Sequence, residues 1–97
     1  MVTLWWVIDT TEPPAVLTEA AAKVARAEAI CQEAGVKVRE QGYDYKYRDF
    51  AAACGVGTAV LLLGKLKAAD ALPAAADCET EEELATIEPL LPSAQIG

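Results

Sequence analysis

The apolar run Ala59-Val60-Leu61-Leu62-Leu63 is continuous and lies between Gly57 and Gly64. It does not alternate with polar residues, and its length suits a strand covered on both faces, the centre of an α/β sheet. Thr3 to Ile8 reads as a first strand, β-branched and aromatic. Leu17, Ala20, Ala21, Val24, Ala27, Cys31 and Ala34 then recur at three- and four-residue steps, the stripe of an amphipathic helix. Thr10 or Thr11 supplies a hydroxyl cap, Pro13 and Pro14 suit a first turn, Glu19 and Lys23 pair on the flank, and Gly35 stops the helix. Val36 to Gln41 alternates, with Val36 and Val38 facing one way and Lys37 and Arg39 the other, as on a charged edge strand that Gly42 breaks.

Beyond Gly42 the pattern weakens. Arg48 to Cys54 reads as a short helix with Phe50, Ala51, Ala53 and Cys54 inward and Gly55 at its end. The central strand follows. Gly64-Lys65 reads as a tight turn into Leu66 to Leu72, which is either a fourth strand or a loop. Pro73 to Asp77 reads as a linker, and Thr80-Glu81-Glu82-Glu83 as a capping box opening a last helix. Leu84 and Ile87 point inward there, and Pro89 ends the helix. Residues 1–92 form one α/β domain on this reading, with 93–97 a frayed tail. The expected sheet has three or four strands, at least partly parallel, with three helices. The first two strands are expected to be parallel and joined by a right-handed crossover.

Composition narrows function. A chain of 97 residues has room for one core. The net charge of −7 repels phosphate, which disfavours nucleic acid and anionic membranes and leaves a protein partner as the expectation. With no histidine, the commonest general base and zinc ligand are missing. Cys31, Cys54 and Cys78 have neither disulfide-framework nor metal spacing, which suits a reducing compartment. Cys31 lies on the helix stripe, Cys54 at a helix end that opposes a thiolate, and Cys78 between Asp77 and Glu79. None has a nucleophile's surroundings. Met1 to Asp9 lacks a basic leader region, and no run is long enough to span a bilayer, so the expected location is cytoplasmic.

The acidic group Asp77, Glu79, Glu81, Glu82 and Glu83 would suit a hard cation or a basic partner, but it lacks calcium-loop spacing and reads first as a solvated helix start. Trp5 and Trp6, adjacent on a strand, point to opposite faces. Gly55-Val56-Gly57 precedes the expected strand, whereas phosphate-cradling loops open a helix. All three tyrosines fall in Gly42-Tyr43-Asp44-Tyr45-Lys46-Tyr47-Arg48. Alternation would set Tyr43, Tyr45 and Tyr47 on one face, with Lys46 and Arg48 beside them, a composition for a protein hot spot or single-stranded RNA. These five are the candidate binding residues. No catalytic set, metal or cofactor is implied, and oligomeric state is left open.

Two families share the expected order of elements. The stretch from Phe50 to Leu66, with Thr80 to Leu84 downstream, resembles the second half of thioredoxin-like domains. No cysteine stands near Thr10 to Pro14, where that family carries Cys-x-x-Cys, and Thr58-Ala59 stands where it has a proline. The resemblance therefore implies a non-redox adaptor or accessory subunit. Ala51 to Val60 also resembles the anticodon-binding domain of class II aminoacyl-tRNA synthetases, which would give Tyr43 to Arg48 a tRNA role.

Overall fold

The computed structural model describes residues 1–42 and 44–97. Strand β1 (Val2–Asp9) leads into helix α1 (Pro14–Glu33), the short strand β2 (Val38–Glu40), strand β3 (Tyr47–Cys54) and helix α2 (Val56–Ala68). Strand β4 (Ala75–Cys78), helix α3 (Glu81–Ile87), a 3₁₀ turn (Glu88–Leu90) and strand β5 (Ala94–Ile96) follow. The five strands form one mixed sheet ordered β2-β3-β1-β4-β5. Its neighbours are antiparallel except for β4 and β5. The α/β class and three helices agree with expectation, while the sheet gains strands and is mostly antiparallel. Strands β1 and β2 do run in the same direction, but β3 lies between them. The arrangement of β1 to β4 with α1 and α2 is the split βαβ topology.

The largest corrections fall between Tyr47 and Leu72. Tyr47–Cys54, expected as a helix from Arg48, is a strand paired along its whole length with β1. Arg48, Phe50, Ala52 and Cys54 share the side of Ile8, Trp6, Leu4 and Val2, while Tyr47, Asp49, Ala51 and Ala53 face the other way. Three consecutive alanines favour a helix locally, but pairing to β1 and β2 on either side overrides that weak preference. The expected central strand is helix α2, which buries Ala59, Leu62, Leu63 and Leu66 at three- and four-residue steps. Its glycines do not break it, because Gly57 and Gly64 lie on its exposed side. Leu66 to Leu72 is neither strand nor simple loop. It completes α2 and turns the chain into β4, which takes up most of the expected linker and runs on to Cys78.

Both long helices end in Schellman motifs. In α1, the Val36 amide donates to the Cys31 carbonyl and Gly35 takes φ +74°, the left-handed conformation expected of it. In α2, the Ala71 amide donates to the Leu66 carbonyl, and Asp70 takes the left-handed position at φ 53°. The Arg26 side chain, from α1, donates to the carbonyls of Ala69 and Asp70 at 3.1 and 3.0 Å and so caps the same helix end. Neither threonine caps α1. The Thr10 hydroxyl donates to the Lys46 carbonyl, and that of Thr11 to Asp9. The capping box of α3 forms as expected between Thr80 and Glu83. The residues expected to fray include β5, which pairs with β4.

One core joins Val2, Leu4, Trp6 and Ile8 of β1 to Val24, Ala27 and Cys31 of α1, to the buried face of α2, and to Ile87 of α3. The helices therefore cover one face of the sheet. Among the described residues, no helix is long and apolar enough to cross a membrane.

Candidate docking face

Strand alternation sends Thr3, Trp5, Val7 and Asp9 to the face of β1 away from the core. Cross-strand pairing brings Ala53 and Asp77 beside Thr3, Ala51 and Ala75 beside Trp5, Asp49 beside Val7, and Tyr47 beside Asp9. The alanines leave room for the Trp5 indole to lie along the sheet, and Ala51 is buried although it stands outside the core. Val7 is 48% and Tyr47 42% exposed, against 2% for Trp6 on the covered side.

Polar groups hold this face in shape. The Trp5 indole N–H donates to Asp77 Oδ2 at 3.0 Å, and Gln95 Nε2 donates to Asp77 Oδ1 at 3.2 Å. At the other end, Asp9 Oδ1 accepts from the Thr11 amide and hydroxyl at 2.9 and 2.6 Å. Those bonds, from the hydroxyl first, hold the Asp9 carboxyl below the usual carboxylate range. Gly42 sits close to β3, where an added Cβ would lie 3.0 Å from the Tyr47 carbonyl oxygen.

The structure separates the tyrosine-rich stretch instead of aligning it. Tyr47 joins the open face, whereas Arg48 points to the helix side. There Arg48 Nη2 lies 2.6 Å from Glu40 Oε1, and its guanidinium stands 5.3 Å from the Phe50 ring centre. That hydrogen bond lowers the Glu40 pKa and raises that of Arg48. Tyr45 is 88% exposed in a turn closed by the Lys46 amide, which donates to Asp44 Oδ1, and the Lys46 ammonium stands 5.8 Å from its ring centre. Tyr43 lies outside the described residues. Among the described residues, Tyr45 and Tyr47 do not share a strand face, because a turn, not a strand, carries residues 44–46.

Sequence reasoning missed Trp5, Val7, Asp9, Asp49 and Asp77 as neighbours. The run Thr3 to Ile8 is apolar on both faces in sequence, which hides its open side, and the pairing that gathers these side chains is long-range. The adjacent tryptophans were the available signal, and they do point opposite ways.

All three cysteines are buried and free. Burial pushes the Cys31 thiol up to about 11 and raises Cys54 and Cys78 as well. Among the described residues, no three His, Cys, Asp or Glu side chains gather as a metal site. A hollow of about 330 Å³ is lined by Glu28, Gln32, Gly35, Val36, Lys37 and Val38, which pair no nucleophile with a base. No family model, curated protein or solved structure matches the chain.

Proposed function

We propose that this chain is a non-catalytic protein-interaction module or accessory subunit, and that the open face of its sheet is the working surface. The observation that carries this reading is the one-sided helix layer, which leaves Val7 and Tyr47 exposed beside a half-buried Trp5. Tryptophan and tyrosine on a flat, rigid surface are residue types enriched among the anchors of protein interfaces. The reading rests on the sheet face and draws on neither family resemblance.

The test immobilises the intact chain and a Val7→Ser/Tyr47→Ala variant and exposes both to native lysate, with and without ribonuclease. Circular dichroism and melting confirm that the variant folds. The expected result is a protein retained by the parent in both conditions and lost by the variant. Retention that disappears on ribonuclease treatment would transfer the reading to RNA, and retention unaffected by the variant would remove the open face as the site.

A further inference from the structure

We infer that the occupant of the open face is a basic, extended segment of a partner protein, carrying two apolar side chains flanked by lysine or arginine. This rests on the interaction-module reading and adds the partner's chemistry to it. Along the open face, Asp77 stands at the Thr3 end, Trp5 and Val7 occupy the middle with Asp49 beside Val7, and Asp9 stands at the far end. From Thr3 to Asp9 the strand covers about 20 Å at its usual rise of roughly 3.3 Å per residue. An extended segment with the pattern cation-x-apolar-x-apolar-x-cation has the same length and the same two-residue period. Its apolar side chains would lie on Trp5 and Val7, and its end charges would meet carboxylates.

The charges decide between occupants. The strands set three carboxylates on this face and one cation, Arg39, on the edge strand β2 beside Ala51 and diagonal to Asp49, while Lys46, in the turn before β3, acts on Asp9 through space, so the face keeps an excess of acid that is greatest at Asp77. No cation among the described residues forms an ion pair with Asp9, Asp49 or Asp77. A second copy laid face to face would bring acid against acid, each chain carrying −7. Nucleic acid would bring phosphate to the same carboxylates. A cationic segment instead neutralises groups that an apolar partner would strand without counter-charge. Asp9 and Asp77 are already oriented by Thr11, Trp5 and Gln95, so little side-chain freedom is lost when it binds.

The probe is a fluorescein-labelled peptide, Lys-Ser-Leu-Ser-Leu-Ser-Lys, titrated by anisotropy with the intact chain at low salt. One control replaces both Lys by Glu and another replaces both Leu by Ser. The expected result is saturable binding of the parent peptide and binding at least about tenfold weaker for each control, as two lost contacts imply. Asp49→Asn should weaken binding about fivefold at low salt and much less at about 1 M, where exposed charges are screened. Equal binding of the Lys and Glu peptides, or none of either, would overturn the inference. So would a concentration-dependent dimer in sedimentation that Val7→Ser dissolves, which would give the face to a second copy. If the peptide fails while a lysate protein still depends on Val7 and Tyr47, the basic-segment inference falls alone. If both fail, the interaction-module reading falls with it.

Discussion

Asp70 holds a position that usually belongs to glycine. At φ 53° it turns the chain out of α2, as Gly35 does after α1. A non-glycine residue in this region is strained, and aspartate tolerates it better than most. Arg26 bonds the Asp70 carbonyl, so its contact does not depend on the Asp70 side chain. Asp70→Gly is therefore expected to raise stability by about 0.5–1 kcal/mol, read as a higher midpoint in urea unfolding. A lower midpoint would show that the Asp70 carboxylate matters more than the strain. The same residue-scale view explains which caps were legible. Thr80 and Glu83 lie three residues apart and form their box locally, whereas Thr10 is drawn off by the Lys46 carbonyl, distant in sequence.

At the scale of elements, α2 and β3 exchanged identities between expectation and structure, and the reason lies in two misleading local signals. The alanines of Ala51-Ala52-Ala53 favour helix, and the glycines around Ala59 to Leu63 looked like the ends of a strand. A window carried past Gly64 shows Leu66 continuing the helical spacing of Ala59, Leu62 and Leu63. Gly64 itself lies on the solvent side, where an added Cβ would meet nothing within 4 Å. Gly64→Ala should consequently stabilise the chain by about 0.5–1 kcal/mol, since alanine loses less backbone freedom in a helix. Thermal melting followed by circular dichroism checks this, and a destabilised variant would contradict the solvent-facing helix. The helix α1 needed no such correction, because its periodicity is uninterrupted and its stop signal, Gly35, stands in place, and β2 keeps its edge position but is confined to Val38–Glu40 within the expected Val36 to Gln41.

For the whole molecule, Cys31 links the core to pH. Its side chain is fully buried, and its thiol titrates at about 11 instead of its ordinary 9.0 because burial disfavours the thiolate. A thiol whose folded pKa is raised contributes stability fully below its unfolded pKa and loses it as pH rises through the folded value. Stability should fall between about pH 9 and pH 11, by about 3 kcal/mol from this group. Cys31→Ala is expected to be less stable at neutral pH and to show a shallower alkaline decline, measured by urea unfolding across that range. An unchanged slope in the variant would place the alkaline sensitivity elsewhere. All three thiols should also react with a thiol reagent only as the chain opens.

The amino-acid sequence by itself determined what depends on near neighbours: the α1 stripe and its Gly35 stop, the Thr80 capping box, the opposed tryptophans, and an acidic chain without histidine. These are set within a few residues, by periodicity, backbone preference and composition. Only the tertiary structure decided the strand order, the identity of β3 and α2, and the pairing of the last residues as β5. The open face belongs to this second group. Trp5, Asp49 and Asp77 come from three strands far apart in the chain. They become neighbours only because long-range hydrogen-bonded pairing sets their register and the helix layer buries the opposite face.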